Sequence, residues 1–387
     1  MNPRICFTIV LFFNTIFSFA QVPSFGIPIE GQYLKDYFIV NYVDWSTSGI
    51  KDYNCGDKTY DGHKGTDFAL RSFRQMDSGV FVLSADAGKV ISVVDSFFDR
   101  NKDPLSSNSG NMIAIQHSGG YYTYYAHLMK NSALVKTDDI VVKGQKIAKV
   151  ASSGKSSDPH LHFEVWYNSV TYVDPFKGSC GNPSSMWTNQ PVYDSNYRIL
   201  ESGLLNFMPD LDTIRERPKQ PSSFKFNDKA ICLWVLESGI KNGDSATWQW
   251  FDPDNNLYYS YTYTYTANSW YFYNWSYITF PHNEKAGSWQ VKYLINGKIK
   301  KVIPFTIQTS SVEDDPLSKN LIISHGNIDL SGLFSERNST LTVFNTNGQQ
   351  IIQSETSESG IIHLEQGIYL ILLKSDERQQ IYKVLVY

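Results

Sequence analysis

The chain has 387 residues, enough for two or three domains of ordinary size. Hydrophobic residues make up 42% of it, which is sufficient for packed cores, whereas the formal net charge of −4 excludes the basic excess expected of a nucleic-acid-binding protein. Together with 15% aromatic residues, these values suit a secreted, β-rich protein.

The chain begins with a short basic segment and an apolar core that ends at Ser18-Phe19-Ala20. This pattern predicts a secretory signal peptide, residues 1–20, cleaved after Ala20. The apolar run is too short and interrupted for a membrane span, and no other stretch is apolar enough to cross a bilayer. We therefore expect export and no membrane span.

Residues 21–200 are expected to form one mainly antiparallel β domain, because no stretch in them has helical periodicity. Its first notable stretch is Gly62-His63-Lys64-Gly65-Thr66-Asp67, in which a histidine and a carboxylate lie four residues apart and Gly65 can bend the backbone. Two strands are predicted around a turn at 86–88. The polar loop at 95–110 is either a groove wall that selects substrate or a variable surface loop.

A hairpin is predicted at Gly119-Gly120, and its second strand continues into Tyr125-Ala126-His127-Leu128. His117 ends the first strand outside any motif and is interpreted as a surface or structural residue. A second hairpin-like run at 140–151, turning at 143–145, precedes the apolar strand that contains His160-Leu161-His162.

His160 and His162 are predicted to lie side by side, because side chains two residues apart on a strand share a face. A single histidine beside apolar residues is more often structural than a ligand. However, four of the eight histidines of the chain fall in these three short stretches. His63, Asp67 and His162 would supply two nitrogens and one oxygen, the usual ligand set of a catalytic zinc that keeps its fourth position open for water.

The three motifs resemble those of the lysostaphin-like or LytM-type zinc endopeptidases, family M23, which cut peptide cross-links in bacterial cell walls. The chain has His-x-x-x-Asp, Tyr-x-His-Leu and His-x-His in the family's order, and the resemblance covers about residues 24–178. It implies that His63, Asp67 and His162 hold one zinc ion and that His127 and His160 flank the water and the scissile carbonyl. Which of those two is the general base stays open.

One position departs from the family pattern. Asp158 stands in Ser157-Asp158-Pro159, where the resemblance leads us to expect Thr-Gly-Pro. Its carboxylate could raise the pKa of His160, contact a cationic substrate group, or be a solvated loop residue.

Three cysteines remain after removal of the signal peptide. Cys55 and Cys180 bracket the metal motifs, and in an oxidising compartment they are predicted to form a disulfide. Cys232 lies in an apolar run and is interpreted as a buried free thiol, with an intermolecular bridge as the alternative.

Residues 201–223 are predicted to be a linker, because residues 209–223 are polar and contain prolines. Residues 224–309 show about seven short apolar runs, a pattern typical of an immunoglobulin-like β-sandwich. In one run, Tyr259, Tyr261, Tyr263 and Tyr265 alternate with Ser and Thr. These tyrosines either form an aromatic platform that contacts glycan or fill the sandwich core.

Residues 310–387 are predicted to form a small C-terminal β-sandwich. They resemble the C-terminal sorting domain of the Bacteroidetes type IX secretion system, on the strength of Val343-Phe-Asn-Thr-Asn-Gly-Gln, Gly367-Ile-Tyr-Leu-Ile and Lys383-Val-Leu-Val. The resemblance implies contact with the type IX secretion machinery and a secreted or cell-surface location.

The resulting prediction is a mainly β, exported, zinc-dependent endopeptidase acting on peptidoglycan. Two alternatives stay open: a non-catalytic module that binds or regulates the cell wall, and a zinc endopeptidase acting on glycine-rich proteins.

Overall fold

The computed structural model describes residues 22–107, 110–226, 228–279, 285–308, 320–323, 327–329, 340–355, 361–374 and 379–386. The predicted signal peptide lies outside these residues. The chain divides into two compact units, Met1–Ile307 and Gln308–Tyr387. No helix among the described residues is long and apolar enough to cross a membrane.

The first part of the chain folds around an eight-stranded sheet in which every strand pair is antiparallel. The spatial order is β1-β2-β9-β6-β5-β4-β7, with β10 beside β9 and with β3 and β8 forming a separate pair. The elements are β1 (Phe38–Asn41), β2 (Thr66–Ala69), α1 (Phe73–Asp77), β3 (Phe81–Leu83), β4 (Gly88–Val94), β5 (Met112–Gln116), the 3-10 turn η1 (Ser118–Gly120), β6 (Tyr121–Ala126), β7 (Ile140–Val141), β8 (Lys146–Lys149), β9 (His160–Tyr167) and β10 (Thr171–Val173). The predicted antiparallel β domain is confirmed.

Strand β9 shows which face of this sheet packs into the core and which face carries the histidines. Leu161, Phe163 and Val165 are fully buried in the core, as every second residue of a half-buried strand should be. His160 and His162 therefore share the opposite face, which confirms the alternation predicted from the sequence.

The hairpins were predicted with mixed success. Gly119 and Gly120 take positive φ angles of 70° and 79°, and β5 pairs with β6 across them as expected. In contrast, β3 does not pair with β4, nor β7 with β8: β3 pairs with β8, and β4 pairs with β5 and β7. Short turns between adjacent strands indicate proximity in sequence, whereas pairing is decided by how the whole sheet closes.

The second part of the same unit contains two further sheets, ordered β11-β13-β16 and β12-β18-β17-β14-β15. The elements are β11 (Arg198–Leu205), α2 (Leu211–Glu216), β12 (Phe224–Lys225), β13 (Ile231–Ser238), β14 (Ser245–Phe251), β15 (Leu257–Thr264), β16 (Phe272–Ile278), β17 (Gly287–Ile295) and β18 (Lys298–Gln308). A shared core including Trp248, Trp250 and Trp289 lies between them, all at most 1% exposed. Two antiparallel sheets around one core are consistent with the predicted immunoglobulin-like sandwich.

The structure differs from the predicted linker at 201–223. Residues up to Leu205 continue strand β11, which pairs along its length with β13. Helix α2 follows, with Asp210 as its N-cap accepting a hydrogen bond from the Thr213 backbone N–H and with Ile214 buried. Local composition did not predict these elements, because β11 depends on a partner strand distant in sequence and α2 has only six residues.

A hydrophobic cluster joins the first sheet to the sandwich. It packs Phe38 and Val40 of β1 against Cys232 and Trp234 of β13, with Ile214 of α2 at its side. Cys232 is buried and free, as predicted. At roughly 25 cal/mol per Å² of apolar surface removed from water, this cluster stabilises the association of the two parts.

The C-terminal unit has one sheet ordered β19-β25-β24-β21-β22 and a two-stranded pair, β20-β23. Its strands are β19 (Asn320–Ile323), β20 (Asn327–Asp329), β21 (Thr340–Asn345), β22 (Gln350–Glu355), β23 (Ile361–His363), β24 (Gly367–Lys374) and β25 (Gln379–Val386). Leu341, Val343, Ile371 and Val384 form its core.

Candidate metal centre

Three side chains from two distant motifs converge on one point. His63 Nε2 lies 3.2 Å from Asp67 Oδ1 and 3.2 Å from His162 Nδ1, and His162 Nδ1 lies 2.9 Å from Asp67 Oδ1. These are the three residues predicted to hold zinc, and one candidate ligand atom from each lies within 4.8 Å of those of the other two.

Strand pairing produces this convergence. Asp67 on β2 is directly opposite His162 on β9, so their side chains leave the sheet together. Gly65 allows the loop that carries His63 to approach: a Cβ there would come within 2.7 Å of the Phe163 carbonyl oxygen and 2.8 Å of the His162 ring. The glycine is therefore needed for close packing, and not, as the sequence suggested, for a bend.

The hydrogen bonds around the three ligands leave their inward atoms as acceptors. His63 Nδ1 donates to the Tyr42 carbonyl oxygen at 2.6 Å, and His162 Nε2 donates to Glu164 Oε1 at 2.8 Å. In neutral rings this leaves a lone pair on His63 Nε2 and another on His162 Nδ1, facing one another beside a carboxylate oxygen.

Three electron pairs at this distance repel unless a cation lies between them. A tetrahedral zinc ion with ligand bonds of about 2.0–2.1 Å separates its ligands by roughly 3.3 Å, close to the three distances found here. The second partners of His63 and His162 are also the kind that orient zinc-binding histidines. The residues present therefore fit zinc.

The pKa values of the ligand residues in the metal-free chain also indicate that the centre favours a positive charge. Burial would lower the pKa of His162, but its hydrogen bonds to Asp67 and Glu164 outweigh burial and raise that pKa to about 10. Burial would likewise raise the pKa of Asp67, but His63 and His160 hold it well below its usual range. A positive charge is thus favoured at the centre, and a proton on His162 supplies it when no ion is bound.

His127 and His160 lie beside this centre, with their ring centroids 4.5 Å apart. His127 Nδ1 donates to the Ser153 carbonyl oxygen at 2.6 Å, and His160 Nδ1 donates to the Asp158 carbonyl oxygen at 2.8 Å. Each ring consequently has its Nε2 available, and His160 Nε2 is 3.6 Å from Asp67 Oδ1. All five predicted site residues are brought together.

His127 is held in an unusual state. It follows the end of β6 with a positive φ of 62°, a left-handed conformation that is uncommon for a residue with a side chain. Burial, with help from His160 and His162, lowers the pKa of His127 to about 3, so its ring is neutral at physiological pH.

Two contacts at the site were missed from the sequence. Glu164 orients His162, and the strand alternation that linked His160 to His162 also placed Glu164 on the same face. Asp158 is not a solvated loop residue: its side chain is 14% exposed and forms an ion pair with Arg215 of α2 at 3.1 Å. Only the tertiary structure brings α2 to this position.

Other sequence predictions concern the surroundings of the site. His117 is interpreted from the sequence as a surface or structural residue, and the structure shows that it is structural. It is 5% exposed, and its two ring nitrogens form hydrogen bonds with the Ala87 carbonyl oxygen and the Thr123 hydroxyl. The disulfide between Cys55 and Cys180 is present as predicted. The loop at 95–110 packs beside the segment that holds His127, since the Asn101 side chain donates to the Gly154 carbonyl oxygen. Its role in substrate selection stays a prediction.

Comparison with known proteins agrees with the motifs. Residues 61–175 match peptidase family M23, and residues 316–387 match the secretion system C-terminal sorting domain. The chain therefore contains both domains that the sequence resembled. The sorting domain indicates type IX secretion to the cell surface or beyond.

Among curated relatives, the peptidoglycan DD-endopeptidase ShyB of Vibrio cholerae is 38% identical over 128 residues, which are 33% of this chain and 26% of the relative. Lysostaphin of Staphylococcus staphylolyticus is 29% identical over 184 residues, 44% of this chain and 36% of the relative. Among solved structures, a zinc-containing peptidase from Vibrio cholerae is 33% identical with a TM-score of 0.24, covering 36% of this chain and 39% of that one. The chain thus spans well under half the length of each of these proteins.

Proposed function

We propose that this chain is an exported, zinc-dependent endopeptidase that hydrolyses peptide cross-links of peptidoglycan. The observation that carries the proposal is the convergence of His63, Asp67 and His162 on one point, with His127 and His160 beside it. The family match over residues 61–175 and the name of the ShyB relative support the substrate class.

His63, Asp67 and His162 would hold the zinc ion. When bound, zinc supplies a Lewis acid that polarises the scissile carbonyl and lowers the pKa of water toward about 7. Glu164 and the Tyr42 carbonyl keep the two histidine rings in the tautomer that leaves the inward nitrogen unprotonated.

His127 and His160 would handle the proton. One ring would accept a proton from the attacking water at Nε2, and one of the two rings, once protonated, would return a proton to the leaving amine when the amide C–N bond breaks. Their backbone partners, the carbonyls of Ser153 and Asp158, hold the opposite nitrogen and aim Nε2 at the reacting carbonyl. A ring that donates to the developing oxyanion would contribute further stabilisation.

Each domain has its own role in the proposed function. We propose a peptidase domain at 21–200, a sandwich domain at 224–309 and a sorting domain at 310–387, with β11 and α2 attaching the sandwich to the peptidase sheet. The sorting domain would contact the type IX secretion machinery. Contact between the sandwich and glycan is supported by the exposure of Tyr259 and Tyr261, at 44% and 40%.

The decisive experiment uses the purified full-length chain and peptidoglycan sacculi of defined cross-link type. We expect one zinc per chain, release of cross-link fragments identifiable by mass spectrometry, loss of that release on chelation and its return with added zinc. His162→Ala serves as the metal-free control.

Two results would count against the proposal. Binding to sacculi without cleavage by a zinc-loaded sample would indicate a non-catalytic wall module. Saturable cleavage of glycine-rich proteins with no release from sacculi would indicate a protein substrate instead.

A further inference from the structure

Strand β16 has two different faces. Asn274, Ser276 and Ile278 point into the sandwich core and are at most 8% exposed. Tyr273, Trp275 and Tyr277 point away from it, because they lie opposite Leu236, Trp234 and Cys232 on the face of the sheet that meets the peptidase domain. The sandwich thus presents a row of aromatic rings to the peptidase.

Two rings of this row, Tyr273 and Trp275, line a cavity at the candidate metal centre. The cavity has a volume of about 460 Å³ and is bounded by Asp67, Asp158 and His160 on one side and by Tyr271, Tyr273 and Trp275 on the other. A ligand residue, Asp67, and a proposed proton-transfer residue, His160, therefore share a binding space with the sandwich domain.

The residue just before β16, Tyr271, attaches this wall of the cavity to the chain segments next to β2 and β9. The Tyr271 hydroxyl donates to the Leu70 carbonyl oxygen at 2.7 Å, and the Leu70 backbone N–H donates to the Pro159 carbonyl oxygen at 2.9 Å, one residue before His160. Residues that position a site from a rigid element preserve its geometry better than a mobile loop would.

A second groove lies at the open side of the sandwich. It has a volume of about 740 Å³ and runs between edge strands β15 and β16, where Tyr259, Tyr261 and Tyr277 are 44%, 40% and 41% exposed. Trp275 lines this outer groove and the inner cavity alike. The outer groove and the inner cavity consequently share one lining residue, Trp275.

The chemistry of the outer groove favours a neutral, hydroxyl-rich polymer. None of the described residues that line it is charged, and its rings lie beside the hydroxyl groups of the tyrosines and of Thr279. Flat ring faces pack on the C–H faces of sugars while hydroxyl groups at the rim pair with sugar hydroxyls. A nucleic acid or an acidic polymer would require basic residues instead.

We propose that one peptidoglycan chain occupies both spaces, with its glycan on Tyr259 and Tyr261 in the outer groove and its stem peptide along Trp275 and Tyr273 in the inner cavity. The sandwich is then part of the substrate-binding surface of the peptidase, and it makes the enzyme prefer intact wall to free peptides. The inference rests on the proposed function for the identity of the peptide, whereas its glycan part is independent of catalysis.

The test compares two substrates and one binding reaction. The substrates are intact sacculi and the same cross-linked peptides after their glycan has been removed, and the binding reaction measures full-length protein on uncross-linked glycan strands. Tyr259→Ala combined with Tyr261→Ala should lower kcat/KM on sacculi relative to kcat/KM on peptides by about 30-fold or more, since truncation of one side chain at an interface hot spot costs about 2 kcal/mol or more, which is roughly 30-fold. Glycan binding should weaken by a similar factor.

Thr262→Ala is the matched control, because Thr262 lies on the opposite face of the same strand and pairs with the Thr247 hydroxyl. This variant should leave both the ratio of kcat/KM on sacculi to kcat/KM on peptides and the affinity for glycan strands at the wild-type value. Equal losses on sacculi and peptides in the double tyrosine variant, or unchanged glycan binding, would overturn the proposal. If the wild type cleaved neither substrate, the proposed function would fail, and glycan binding alone would still decide whether the outer groove holds sugar.

Trp275 tests the connection between the two spaces. Trp275→Leu should raise KM for the free peptides as well as for sacculi, and Trp275→Phe should restore most of the loss. A KM for peptides that did not change in a folded Trp275→Leu protein would remove the inner cavity from the binding surface.

Discussion

Replacing Glu164 should weaken zinc binding without touching a zinc ligand. Glu164 Oε1 accepts the hydrogen bond from His162 Nε2 at 2.8 Å, which fixes the ring with Nδ1 facing Asp67 and His63. Loss of such an outer partner typically lowers metal affinity by about 10- to 100-fold. That range corresponds to roughly 1.4–2.7 kcal/mol.

Two variants separate the contributions of charge and geometry. Glu164→Gln keeps an oxygen that can accept from Nε2 but removes the charge, so its loss is expected at the lower end of the range. Glu164→Ala removes both the acceptor and the charge, and its loss is expected at the upper end. Zinc affinity would be measured by competition with a chelator of known affinity, on the full-length protein at constant pH.

Glu201→Gln is the control, since Glu201 is a comparably enclosed carboxylate, 15% exposed, that pairs with Arg217 instead of a zinc ligand. It should bind zinc as the wild type does. Wild-type affinity in Glu164→Ala would refute the reasoning, because His162 would then be oriented by something other than this carboxylate.

Three further outcomes are expected. His160→Ala should lower kcat by about 100-fold or more while zinc content, measured by metal analysis, stays at one per chain; equal loss of zinc would mean that His160 is a structural residue. Joint replacement of Cys55 and Cys180 by serine should lower the free energy of unfolding by about 4–5 kcal/mol in denaturant titrations, because the bridge closes a loop with a sequence separation of 125, and reduction of the wild type should have the same effect. Burial raises the pKa of Asp174 to about 7, so its protonated form is favoured in the folded state. Stability should therefore fall as pH rises from about 4 to about 7, and Asp174→Asn should flatten that slope in melting curves recorded across this range; an identical slope in the variant would contradict the assignment.

Much of the site could be predicted from local pattern. The face shared by His160 and His162 follows from the two-residue period of a strand, which is a property of the backbone and does not depend on the rest of the fold. The same period would have identified Glu164. The choice of His63, Asp67 and His162 rested on the chemistry of zinc ligands and on motif order, neither of which needs coordinates.

Predictions that depended on distant partners were less successful. The tyrosine-rich strand illustrates the reason: Tyr265 is buried in the core, whereas Tyr259 and Tyr261 on the same face are exposed. The prediction that these tyrosines fill the core is confirmed for Tyr265, which follows β15, whereas Tyr259 and Tyr261 are exposed on the edge strand β15 and their contact with glycan stays a prediction. Alternation in sequence shows which residues share a face of the strand. It does not show which of them the opposite sheet covers.

By itself, the sequence predicted the residues that converge at the candidate metal centre, the antiparallel character of the peptidase domain, the disulfide and the sorting domain, because each prediction rested on residue type, motif pattern or redox environment. Only the tertiary structure decided that β11 and α2 replace a linker, that Arg215 pairs with Asp158, and that the aromatic face of β16 meets the metal centre. Those contacts join segments far apart in the chain, and their energy comes from burial and charge pairing that exist only once the sheets have packed.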